Sequence, residues 1–117
     1  MRESDLQRDI LEHLNILGMF AWRNNTGAFA GEYKGKKRFV RFGQVGAGDI
    51  FGIDKFGRFL SIEVKAGKKL PTVAQMNWID AVNKAGGFAC WVGSWEAWES
   101  ICNYRGWVIR RRKNDTR

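Results

Sequence analysis

Between Gly46 and Lys65 the chain reads GAGDIFGIDKFGRFLSIEVK, two short apolar runs on either side of a turn at Asp54–Gly57. Runs of this composition broken by Asp, Lys and Gly pair as a β-hairpin. A three-residue loop, Lys55-Phe56-Gly57, places Gly57 where such loops require a left-handed backbone. The loop fixes the register: Asp54 pairs with Arg58, and stepping back along both strands sets Asp49 opposite Glu63. Directly opposed residues hold their Cβ atoms about 4.5–5.5 Å apart, so two carboxylates converge on one face. Lys65, next but one after Glu63, shares that face. Like charges side by side in a half-buried sheet are destabilising unless something positive lies between them. The apolar neighbours point to burial and to a divalent cation, with Lys65 as the lesser partner. A solvated ladder of mixed charges is the alternative reading.

The rest of the chain supplies elements to carry this hairpin. Residues 4–17 place Leu6, Ile10, Leu14 and Leu17 on one helical face, with Ser4 and Gln7 in capping-box spacing and Gly18 as the stop. A start one residue earlier puts Glu3 on the inward face, where a carboxylate needs a partner. Equally, an acid in a first turn is favoured by the helix dipole alone. Glu12 falls on the opposite, solvated face. His13, the sole histidine, reads as a packed boundary residue, since no second His or Cys stands at ligand spacing. Met19–Arg23 has the form of a strand entering the core, with Phe20 and Trp22 on one face. Thr72 and Gln75 form a capping box after Pro71, opening a second helix with an apolar stripe of Val73, Met76, Ile79 and Val82. Gln75 is explained as a capping partner, and it also lies within reach of the carboxylates. Phe88–Val92 suits a strand buried on both faces, Ser94 caps a third helix, and Trp107–Ile109 forms a last edge strand. Helix, strand, hairpin, helix, strand, helix is the order of an α/β protein with a mixed β-sheet flanked by helices.

With 117 residues the chain suffices for one domain, residues 1–109, followed by a basic tail, 110–117. The formal charge of +8 points to a polyanionic partner, nucleic acid before an anionic membrane. No apolar run has the length of a membrane span, and the start MRESDLQRDI is too charged for a signal peptide. Two cysteines in no metal-like spacing fit reduced thiols and a cytoplasmic setting. Lys34, Lys36, Lys37, Arg38 and Arg41 are interleaved with Tyr33, Phe39 and Phe42. Such a run suits phosphate contact with stacking on unpaired bases; a solvated hairpin tip is the alternative. Arg23, Asn24, Lys68 and Lys69 are assigned to the same nucleic-acid-binding surface.

Taken together, RESDLQRDILEHL, WRNNTG, GAGD ending at Asp49, IEVK ending at Lys65 and PTVAQMNW resemble a stand-alone VRR-NUC (virus-type replication and repair) nuclease of the PD-(D/E)xK superfamily. The resemblance extends to about Trp98. It implies a restriction-endonuclease-like fold and a Mg²⁺- or Mn²⁺-dependent endonuclease. Asp49, Glu63 and the Val64 carbonyl would hold the metal, and Glu3 would complete its site or hold a water in it. Lys65 would act on the attacking water, and Gln75 would support the site. It further implies a homodimer acting on branched DNA such as Holliday junctions in DNA repair, with the tryptophan-rich C-terminal half offering aromatic surface to the interface. The chain departs from the pattern at Gly48, where the superfamily's proline would stand. A single histidine rules out a histidine-metal nuclease, and nothing supports a Ser-His-Asp hydrolase. Two other functions fit the same composition: a basic nucleic-acid-binding protein without catalysis, and a nicking or restriction-type nuclease on ordinary duplex.

Overall fold

In the computed structural model, residues 1–24, 27–33, 36–42 and 46–109 are described, the segments 27–33 and 36–42 by backbone alone. The elements follow as α1 (Glu3–Ile16), β1 (Phe20–Arg23), β2 (Gly27–Tyr33), β3 (Lys36–Phe42), β4 (Ile50–Ile53), β5 (Phe59–Val64), α2 (Val73–Lys84), β6 (Phe88–Val92) and α3 (Trp95–Arg105). Four strands make a mixed sheet in the order β1-β4-β5-β6, antiparallel except for the parallel β5–β6 pair bridged by α2. The strands β2 and β3 form a separate antiparallel pair inserted between β1 and β4. The sequence announces this excursion by its lysines and glycines but not its regular pairing. Lys34 and the tail 110–117 lie outside the described residues.

Each sheet face has its own cover. Leu60, Ile62 and Val64 of β5 are buried in one cluster with Leu6, Ile10 and Leu14 of α1 and Trp98 and Cys102 of α3. Full burial of an Ile or Leu is worth about 1.5–3 kcal/mol, so this layer supplies the main apolar driving force. The alternate residues Phe59, Ser61 and Glu63 face α2. His13 takes a structural role between the helices, its Nδ1 accepting a 2.8 Å bond from the Trp98 indole. The tryptophans of the C-terminal half are used inside the chain. Trp98 is buried, Trp107 packs against Trp98 and the Phe88 ring, and Trp95 meets His13 edge-on. Cys90 and Cys102 are free, and burial pushes their thiols up to about 12 and about 11.

Four sequence expectations are corrected. The α1 helix starts at Glu3 with Arg2 as its N-cap, so Ser4 lies inside the helix and caps nothing. In β1, Phe20 and Trp22 share a face as expected, but it is the outer one. Met19 and the small Ala21 turn inward, because a small residue lets α1 approach the strand. The α2 stripe is displaced: Val73 and Met76 are exposed, and Gln75 and Trp78 reach the sheet instead. Residues 107–109 form no strand, since Trp107 folds back to bond the Cys102 carbonyl and pack on Phe88.

Both outer strands are closed by asparagine side chains. Asn15, at the end of α1, donates to and accepts from the backbone of Ala21 in β1, at 3.5 and 3.3 Å. Asn83, near the end of α2, does the same for Ala89 in β6, at 3.0 and 2.8 Å. The amide substitutes for a missing neighbouring strand and blocks edge pairing. Both alanines are buried, but the bonds to Ala89 are the shorter, so Asn83→Ala is expected to cost about 1–3 kcal/mol in urea unfolding and Asn15→Ala distinctly less. Equal costs would show that the two caps are not ranked by bond length.

Candidate active site

The site grows out of the hairpin register. Asp54 N–H donates to the Arg58 carbonyl, Gly57 takes the left-handed turn at φ 83°, and Ile53 pairs with Phe59 and Ile50 with Ile62. This is the register that the loop length dictates. Past the end of β4 the ladder gives way to a bend, where Asp49 N–H donates to the Ile62 carbonyl and Asp49 Oδ2 accepts a 2.7 Å bond from Val64 N–H. Asp49 and Glu63 thus stand side by side on the α2 face. Since the Val64 N–H is turned toward Asp49, its carbonyl emerges on the same edge of the strand.

Glu63 is only 5% exposed, and its two oxygens live differently. Oε1 accepts a 2.8 Å bond from Gln75 Nε2 and lies 3.6 Å from Lys65 Nζ. Oε2 is buried with no hydrogen-bond partner. Burial, and then the charge of Asp49, push the Glu63 carboxyl up to about 7 against the pull of Lys65. Asp49 is raised as well, by burial first, with the Val64 N–H and Lys65 opposing. Two ionised carboxylates have only acceptors to offer each other, so the pair demands a shared proton or a cation.

Gln75 resolves its two readings by filling both. Its Oε1 accepts from Thr72 N–H and its N–H donates to Thr72 Oγ1, completing the capping box, while its Nε2 holds Glu63. Glu3 stands beside the site. Its Oε1 accepts from Ala66 N–H at 3.1 Å and lies 3.6 Å from Lys69 Nζ, and the Ala66 bond holds its carboxyl below the usual range. It is near enough to act electrostatically on Asp49 and Lys65. Among the described residues, no three His, Cys, Asp or Glu side chains gather as a metal cluster. Asn24 serves the backbone: its N–H donates to the Asp49 carbonyl and its side-chain amide to the Gly48 carbonyl, fixing the turn that presents Asp49. Arg23 and Lys68 are exposed, Lys69 reaches to Glu3, and Lys36, Lys37 and Arg38 are placed only as backbone positions opposite Tyr33, Glu32 and Gly31.

Sequence reasoning missed the support around Asp49. Trp78 donates its indole N–H to Ser61 Oγ at 2.8 Å and stacks on Phe51 at 5.8 Å. A Cβ at Gly48 would lie 2.5 Å from that Ser61 Oγ, and one at Gly46 would lie 2.3 Å from the Ala74 carbonyl oxygen. Gly46 therefore admits α2 against the Asp49 turn, Gly48 admits β5, and a proline before Asp49 would strike Ser61. The available signs were a lone serine in an apolar strand with the parity of Glu63, and a tryptophan one helical turn after Gln75.

A divalent cation fits this arrangement. The site offers two carboxylates, one with an unpartnered buried oxygen, and a carbonyl on the same edge. Mg²⁺ and Mn²⁺ favour such hard donors, and Mg²⁺ commonly uses one or two carboxylates while keeping several waters. Comparison with known proteins adds nothing to this: a scan against protein-family models and a search of curated proteins each found no match.

The raised Glu63 has a consequence for stability. Its folded-state value of about 7 exceeds the ordinary 4.5, so its contribution is fully present below about pH 4.5 and is lost as pH rises through 7. In the presence of chelator, Glu63→Gln is expected to be more stable than wild type at pH 8, by on the order of 1–2 kcal/mol, with the gap closing at pH 5. Urea titrations at the two pH values check this; a wild type stabilised relative to the variant at pH 8 would contradict it.

Proposed function

We propose that this protein is a metal-dependent DNA endonuclease of restriction-endonuclease-like fold, a phosphodiester hydrolase akin to VRR-NUC nucleases that acts on branched DNA. The observation that carries the reading is the bare, buried Glu63 Oε2 beside Asp49, with Lys65 and Gln75 both committed to Oε1. A non-catalytic DNA-binding protein gains nothing from buried carboxylates, which repel phosphate.

The residues divide the work. Asp49, Glu63 and the Val64 carbonyl would hold Mg²⁺ or Mn²⁺, which when bound supplies Lewis acidity toward the phosphate and lowers the pKa of water. Lys65 brings a cation to the same face, where it orients the attacking water and offsets charge developing on the phosphoryl oxygens. Gln75 fixes the rotamer of Glu63 from a rigid helix start. Glu3, through Ala66, ties the first helix to the loop that follows Lys65 and holds Lys69 nearby. Arg23, Lys68 and the basic β2–β3 segment would contact phosphates, a sequence-independent role.

Incubation with four-way, flapped and linear duplex DNAs in magnesium, manganese or chelator tests the reading. Metal-dependent cleavage favouring branched forms is expected. Preference for linear duplex would make the protein a nicking or restriction-type enzyme, and no cleavage of any form would make it a binding protein. Glu63→Gln and Lys65→Ala should each lower cleavage by at least about a hundredfold, while both variants stay folded and DNA binding in chelator changes little. Symmetric cutting of a junction needs two sites related by a two-fold axis, so the active form is a homodimer. Sedimentation showing monomer alone, with and without DNA, would remove that part.

A further inference from the structure

The face of the sheet that carries the carboxylates is only partly covered by α2. Over β1 and the Ile53 end of β4 the described residues leave Phe20 (67%), Trp22 (38%) and Ile53 exposed. They lie on this outer side because Ala21, between them on the strand, packs inward. The Phe20 and Trp22 rings lie 5.2 Å apart at an interplanar angle of 47°, forming a small aromatic platform. The register places it in line with the site: Phe20 opposes Ile53, Trp22 opposes Phe51, and the next row in that direction is Asn24, Asp49 and Glu63. Rows of one face are about 7 Å apart along a strand. A chain rising about 3.4 Å per stacked nucleotide, and more when unstacked, spans the gap in one or a few nucleotides.

We infer that Phe20 and Trp22 stack on unpaired nucleobases of a DNA strand whose phosphate lies at the Asp49–Glu63 site. This rests on the nuclease reading above for the site, but base stacking itself requires no cleavage. Three observations favour this occupant. The platform is continuous with the carboxylate row on one face. Arg23 is exposed at the end of the same strand, and the chain carries a formal charge of +8, so a polyanion is drawn here. The adjacent strand edge is closed by Asn15 at Ala21, which opposes occupation by an added protein strand. Aromatic stacking tolerates any base but needs it unpaired, so the platform would select single-stranded segments at branches and flaps over continuous duplex.

Anisotropy titrations in chelator, with a labelled oligothymidylate and a blunt duplex of similar charge, test the inference. A stacked base is worth about 1–3 kcal/mol, so Trp22→Ala should weaken oligothymidylate binding about tenfold and Phe20→Ala by a smaller factor. Trp22→Phe should recover most of the affinity, and duplex binding should change less than about twofold. Both side chains are exposed, so unfolding midpoints should stay near wild type, and the titrations are read on variants that meet this condition. Equal losses on both DNAs, or no loss on oligothymidylate, would overturn the inference. So would a wild-type dimer that Trp22→Ala turns into monomer, since the face would then be an interface between copies. If no DNA is cleaved with any metal yet oligothymidylate binding still depends on Trp22, the nuclease reading fails and the platform stands.

Discussion

Two carboxylates side by side in a largely apolar sheet repel each other and resist burial, and most of the structure around them answers that cost. Asp49 receives the Val64 N–H, and Glu63 receives the Gln75 amide and the Lys65 ammonium. None of these reaches Glu63 Oε2. Donors that satisfied both oxygens would make a buried polar network of a purely structural kind. Leaving one oxygen bare costs stability, and proteins accept such costs where a ligand will later repay them.

The hairpin was legible from sequence because its geometry is local. Gly57 in a three-residue loop and the Asp54–Arg58 pair set a register that carries Asp49 to Glu63 without reference to the rest of the fold. The capping box at Thr72 and Gln75 was legible for the same reason. Failures occurred where a face had to be chosen by a distant partner. Alternation in Met19–Arg23 is identical for either facing, and only the approach of α1 onto Ala21 decides it. In α2 the apolar interval was real, yet the helix sits on a sheet face that presents Ser61 and Glu63, so a polar Gln75 and the indole N–H of Trp78 turn inward and leave Val73 and Met76 outside. Glu3 is intermediate. Its helix start and inward direction were readable, but its engagement by Ala66 depends on a loop sixty-three residues away in sequence.

The sealed sheet edges bear on assembly. An unpaired strand offers a row of donors and acceptors to any second chain, and here the same amide device meets that hazard at both ends of the sheet. Association of two copies through a continuous intermolecular sheet would have to displace Asn15 or Asn83 first. A dimer would therefore use helix surfaces or sheet faces, and those are the surfaces that also border the carboxylate site.

Gln75 shows how tightly support and chemistry are joined in a chain this short. Its carbonyl oxygen closes the cap of α2 and its amide nitrogen holds Glu63, so the helix start and the position of the carboxylate are one geometric unit. Gly46 keeps that unit close to the Asp49 turn, because a side chain there would press on Ala74, and Gly48 keeps the turn close to Ser61 of β5. The spacing between the carboxylates is thus set by two contacts from α2 as well as by the hairpin's register. Register fixes which residues are opposite, and the α2 start fixes how far Glu63 can turn. A cation that accepts only a narrow range of oxygen–oxygen distances requires both.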